Sequence, residues 1–257
     1  MRYVFDLLIR VLTRFRLFNS LLNTIFGEVY IKDPALPVIE TYHQIQESFY
    51  REKKEGHRYL YAFVESSNYS LSSILVRFLT KIVNKGKSDL YTHAGVLLIH
   101  DGYFYVMDML GTGRKVRPLI DLLEESDRVA ILRYELKKDM LPEVNRRCSI
   151  VFNNDVASVN ELIAQAYSFI PSRRQTWLDK VSSWLDKRIY KPATELEYDY
   201  SQELGNSGRI YCSELVYLMG YNLVIQENFI PVKTETRYVF TPQMCYDLAE
   251  VIFERRD

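Results

Sequence analysis

The sequence predicts an α+β fold, a central antiparallel sheet packed by helices, with a helical extension at the N-terminus. Three observations carry that expectation. Residues 91–100 and 103–110 are strand-like runs joined by Asp101–Gly102, a dipeptide suited to a two-residue hairpin turn because both central positions need positive φ. Apolar runs at 59–64 and 129–136 read as further short strands, while stretches with helical apolar spacing stand around them. Of 257 residues, 47% are hydrophobic, 26% are charged and only 10 are Gly, the balance of an ordered globular chain.

The elements follow in order. Residues 1–27 form an amphipathic helix candidate: Val4, Leu8, Val11, Leu12, Phe15, Phe18, Leu22, Ile25 and Phe26 recur at helical spacing, with Arg2, Arg10, Arg14, Arg16 and Ser20 opposite. This stretch reads as a helix docked on its own domain or on a partner; a basic helix lying on a membrane surface is the alternative. Pro34 and Pro37 break the chain, so residues 1–36 are an extension and 37–257 the main domain. Residues 38–55 read as a polar helix ending in a charge run, and 71–83 as a helix burying Ile74, Leu75, Phe78, Leu79 and Ile82. The hairpin comes next. Gly111, Thr112, Gly113, Arg114 and Lys115 read as a turn, since they lack the context of a phosphate loop. Residues 118–125 read as a short helix, 160–170 and 177–189 as helices, and 195–208 as a polar loop. The pattern at 213–220 is helical, with Leu215, Val216 and Met219 as its stripe and Gly220 as its stop. Thr241–Pro242 opens a last helix expected to run from 243 to about 255.

Composition narrows the chemistry. The 33 basic and 33 acidic residues cancel, which removes the electrostatic case for nucleic acid as partner. The three cysteines, Cys148, Cys212 and Cys245, form no closed disulfide set, and with four histidines they show no metal-ligand spacing. No cofactor or metal is expected, and a reducing, cytoplasmic setting fits, with membrane association through the N-terminal helix as an option. No run is long and apolar enough to span a bilayer, and residues 1–27 lack the features of a signal peptide.

Cys212 and His93 stand out. Cys212 precedes a helical pattern, where the helix dipole lowers a thiol's pKa and free backbone N–H groups can hold an oxyanion. Cys148, expected at an element boundary after Arg146 and Arg147, and Cys245, expected within a helix, are weaker candidates, and any of the three thiols can be a small buried hydrophobe. In the hairpin register Gly95 faces Asp108, so His93 and Asp108 share a sheet face one diagonal step apart, roughly 7–8 Å between backbones. Their other neighbours on that face are Leu97, Ile99, Phe104 and Val106, among which a carboxylate needs a partner. A structural His–Asp pair satisfies that need as well as a catalytic one does. Glu214 reads as a first-turn partner of the helix dipole, while Tyr198 and Asp199 line a cleft or make structural hydrogen bonds.

The chain resembles the permuted papain-fold (NlpC-type) cysteine hydrolases of the YiiX/YebB-like branch. The resemblance spans about residues 59–248. It rests on the helix and His strand ending in Tyr91–Thr92–His93–Ala94–Gly95, on Val106–Met107–Asp108, and on residues 119–133. Tyr198–Asp199–Tyr200, Tyr211–Cys212–Ser213–Glu214–Leu215–Val216 and Thr241–Pro242 complete it. It implies a permuted papain-like fold with Cys212 as nucleophile, His93 as general base and Asp108 orienting the imidazole. The implied activity is cysteine-dependent hydrolysis of amide or peptide bonds, cell-wall peptides being the family's usual substrates, through a thioester. The related lecithin:retinol acyltransferase-like branch makes a lipid acyl substrate the second reading. A catalytically silent binding protein on the same fold is the third.

Overall fold

The computed structural model describes residues 38–51, 58–66, 91–110, 112–126, 128–169, 195–199, 204, 209–233 and 238–255. The expected helices at 1–27, 71–83 and 177–189 lie outside the described residues.

In chain order the elements are α1 (Val38–Arg51), β1 (Tyr59–Ser66), β2 (His93–His100), β3 (Tyr103–Leu110), β4 (Gly113–Pro118), α2 (Leu119–Glu125), β5 (Arg128–Glu135), α3 (Leu141–Phe152) and α4 (Val156–Ala166). There follow β6 (Glu197–Tyr198), β7 (Arg209–Ile210), α5 (Cys212–Gly220), β8 (Val232–Lys233), β9 (Tyr238–Val239), α6 (Pro242–Leu248) and β10 (Glu250–Arg255). The fold is α+β. Six antiparallel strands form one sheet in the order β10-β5-β1-β2-β3-β4.

Side-chain alternation splits the core in two. On one face Phe63, Leu97, Phe104, Val106, Val129 and Ile131 meet Ile45 and Phe49 of α1 and Leu119, Leu122 and Leu123 of α2. On the other, Ala62, Val64, Ala94, Val96, Met107 and Leu132 meet α3, α4, α5 and α6. Small residues there let α5 lie close to the sheet. All nine residues of α5 are buried, which is why its sequence is apolar nearly all round. Its C-terminal carbonyls are met by a charge from α3: Arg147 Nη1 donates to Leu218 O at 2.8 Å and Tyr221 O at 2.9 Å.

The hairpin turn has Asp101 at φ 49° and Gly102 at φ 81°, as its dipeptide requires. Three expectations need correction. Gly113, Arg114 and Lys115, expected in a turn, open the edge strand β4, where Arg114 and Lys115 are charges of the kind that guard such an edge. The helix expected to reach 255 stops at Leu248; Ala249 turns extended, and Val251 and Phe253 pair with β5 across a bulge at Ile252. Cys148 lies inside α3, not at an element boundary. Gly220 ends α5 as expected, without a left-handed turn; its value is space, since a Cβ there would lie 2.7 Å from the Phe229 ring. Thr241 caps α6 as expected, accepting the Met244 N–H at 3.2 Å.

Candidate active site

The β2–β3 register runs from His100↔Tyr103 to Gly95↔Asp108. His93, two residues beyond Gly95, therefore leans over Asp108 from the next position on the same face. Its Nε2 donates to Asp108 Oδ2 at 3.1 Å. Gly95 makes the approach feasible: a Cβ there would lie 2.5 Å from Val106 Cγ1, 3.0 Å from Met107 O and 3.2 Å from Asp108 Cβ.

Asp108 is fully buried and takes a second cation that the sequence reading overlooked. Arg117 of β4 donates from Nη2 to the same Oδ2 at 2.8 Å, and its Nη1 reaches Glu125 Oε2 of α2 at 3.0 Å. Burial disfavours the Asp108 carboxylate, but the hydrogen bond and charge of His93 and the charge of Arg117 outweigh it and hold the group below its usual range.

Cys212 arrives from the other face of the sheet. It is the first residue of α5, 2% exposed, and its thiol meets the imidazole at the end of β2. With Nε2 turned to Asp108, Nδ1 is the ring nitrogen left for sulfur. Two further donors converge on Sγ, the Ala94 backbone N–H and the Tyr198 hydroxyl at 3.8 Å. Tyr198 is brought there by the parallel pairing of β6 with β7, Tyr198↔Ile210, just upstream of the nucleophile candidate.

The electrostatics single out one thiol. Burial opposes the Cys212 thiolate, yet the charge and hydrogen bond of His93, with the Ala94 and Tyr198 donors, bring its pKa below the ordinary thiol value. Burial likewise opposes the imidazolium, and the charges and hydrogen bonds of Cys212 and Asp108 raise His93 well above its ordinary value. The pair is thus set toward thiolate and imidazolium. Cys148 and Cys245 go the other way: burial pushes Cys148 up to about 12 and Cys245 well above its ordinary value.

The start of α5 is fixed by several bonds. Glu214 Oε2 accepts the Tyr211 N–H at 3.4 Å, the first-turn role expected of it. Tyr211 Oη accepts the Phe240 N–H at 3.0 Å, and Ser213 Oγ donates to Phe240 O at 2.5 Å. Asp199 is 1% exposed, and its N–H donates to Ile210 O at 3.1 Å beside the thiol.

A second carboxyl lies beside the imidazole. Glu65 of β1 is paired directly with His93, is 2% exposed, and is hydrogen-bonded to Ser126. Nothing in its local sequence marks it, because no tight turn fixes how β1 meets β2.

Among the described residues no group of three His, Cys, Asp or Glu side chains is arranged to hold a metal ion. No helix among them is long and apolar enough to cross a membrane. No protein-family model matches the chain, and no curated protein matches it.

Proposed function

We propose that the chain is a cysteine-dependent hydrolase of amide or peptide bonds, working through a Cys212–His93–Asp108 triad on a permuted papain-like fold. The observation that carries this reading is the meeting of one thiol, at the start of α5, with an imidazole held by a buried carboxylate. Cys212 alone among the three cysteines has its pKa lowered, and the imidazole beside it is anchored on a buried carboxylate. A small hydrophobic cysteine needs neither neighbour.

The steps follow from the contacts. The Cys212 thiolate attacks the substrate carbonyl carbon, and the oxyanion lies near the Cys212 N–H at the start of α5 and the Tyr198 hydroxyl. His93 gives its proton to the departing amine as the C–N bond breaks, leaving a thioester. Neutral His93 then takes a proton from water, whose oxygen attacks the thioester. The C–S bond breaks, an acid product leaves, and thiolate and imidazolium return. Asp108, held ionised by Arg117, keeps the imidazole oriented through both transfers.

Peptide mapping after limited iodoacetamide treatment at pH 6.5 tests the proposal. Cys212 should alkylate at least about tenfold faster than Cys148 or Cys245, and His93→Ala should abolish the difference. Equal, slow labelling of all three would overturn the enzyme reading and leave a binding protein. Profiling with acyl electrophiles on wild type and Cys212→Ala then separates substrates. Capture of peptidyl or amide-like probes supports the proposal, whereas capture of long-chain lipid acyl probes alone replaces it with the lipid-directed reading.

A further inference from the structure

The imidazole lies between two carboxyl groups, and only one of them is used above. Asp108 lies diagonally across β3; Glu65 lies directly across β1, on the same face of the sheet. A backbone bond holds the two strands together there, Thr92 N–H to Glu65 O at 2.9 Å.

The surroundings of Glu65 disfavour its charge. The Ser126 hydroxyl is hydrogen-bonded both to the Glu65 carboxyl and to Leu122 O, the latter at 2.8 Å. A hydroxyl has one hydrogen, and a backbone carbonyl can only accept. Ser126 Oγ is the donor in both contacts, so one hydrogen is divided between Leu122 O and the Glu65 carboxyl, and neither acceptor has it in full. The charges facing the group are His93 from β2, Asp108 from β3, Arg117 from β4 and Glu125 from α2. Arg255 of β10 is one bond further off, donating to Ser126 O. The two cations nearest Glu65 already serve other carboxylates: His93 and Arg117 bind Asp108, and Arg117 also binds Glu125.

We infer that Glu65 is a positioning residue of the same site, a buried carboxyl on β1 directly across from His93 whose ionisation changes the proton affinity of the imidazole. The inference rests on the proposed thiolate–imidazolium pair. Burial is the main reason the group holds its proton, raising its pKa to about 7 against the pull of His93. Once ionised, Glu65 stabilises the imidazolium. His93 becomes a weaker acid toward the leaving amine and a stronger base toward water, so thioester formation slows and thioester hydrolysis quickens as pH rises through 7.

Nuclear magnetic resonance titration of ring-labelled histidine in the full chain tests this, with only four histidines to assign. The His93 midpoint should fall by about one unit in Glu65→Gln, since a carboxylate at cross-strand distance is removed. Gln keeps the size of Glu and an amide oxygen that can accept from Ser126. A purely structural Glu65 would alter stability and leave the midpoint where it was, which overturns the inference. Should Glu65→Gln fail to fold, the wild-type infrared spectrum decides: a protonated carboxyl band lost between pH 6 and 8.5 supports the inference, and its absence overturns it. Wild-type alkylation reports on the parent reading separately. A Cys212 no faster than Cys148 sinks both claims, while a fast Cys212 with an unmoved His93 midpoint sinks this one alone.

Discussion

One carboxylate oxygen, Asp108 Oδ2, holds two cations that belong to different tasks. It receives His93 Nε2 at 3.1 Å and Arg117 Nη2 at 2.8 Å. The first bond orients the imidazole; the second opposes the burial that would otherwise protonate the acid. Arg117→Ala should therefore raise the Asp108 pKa and destabilise the chain by about 3 kcal/mol, because a buried carboxylate loses its permanent cation. Urea unfolding reads the stability, and the acid limb of Cys212 alkylation, shifted to higher pH, reads the chemistry. Arg117→Lys, which lacks the planar fork that spans Asp108 and Glu125, should recover only part of either effect. An unmoved acid limb in Arg117→Ala would show that Asp108 does not depend on Arg117. Sequence reasoning reached Cys212, His93 and Asp108 because a helix start and a hairpin register are local signals. Arg117 lies just past the stretch read as a turn, where the sequence offers no local signal, and Glu65 is placed by pairing that only the assembled sheet defines.

At the scale of elements, the site depends on how closely β2 and β3 approach. Gly95→Ala places a methyl 2.5 Å from Val106 Cγ1 and 3.2 Å from Asp108 Cβ, with the Met107 carbonyl at 3.0 Å. Backbone has no other rotamer to adopt, so the strands must separate at the one point where Asp108 meets His93. A loss of about 1–3 kcal/mol is expected, together with slower alkylation of Cys212. Gly220→Ala is the matched control. Its Cβ would meet the Phe229 ring at 2.7 Å and Leu60 Cδ2 at 3.1 Å, at the far end of α5 from Cys212. It should lower stability comparably and leave the alkylation rate of the folded protein unchanged; equal effects on both readouts would refute the link between Gly95 and the Cys212–His93–Asp108 cluster. The same scale shows why some elements escaped the sequence reading. Leu248, Val251 and Ile252 fit a helical stripe, yet Val251 and Phe253 complete the open edge of β5, where Glu250 binds Arg133 at 2.8 Å and 2.5 Å. Helix α3 was missed because its buried face includes Arg147, a charge that interrupts the apolar period while capping α5.

Across the whole molecule, the site appears as a charge arrangement that folding must hold against its own cost. The α+β architecture brings α5 to one face of the sheet and Asp108, Arg117 and Glu65 to the other, so the polar cluster is enclosed by both cores. Glu65 makes that cost measurable. Its pKa is about 7 in the folded chain, against an ordinary 4.5, so between those values the folded state holds a proton that the unfolded state has lost. Stability then falls as pH rises, since its slope follows the protons bound by the unfolded state minus those bound by the folded state. A neutral glutamine has no such term. The unfolding free energy of Glu65→Gln, measured against wild type in urea, should gain about 3 kcal/mol between pH 4.5 and 8, from about 1.4 kcal/mol per pKa unit. Asp108 works in the opposite sense: its lowered pKa adds stability at higher pH that is lost as pH falls, and this contribution is common to both proteins and cancels in the difference. A difference between wild type and variant that stays flat across this range would mean that Glu65 is ionised throughout it in the folded chain, burial notwithstanding.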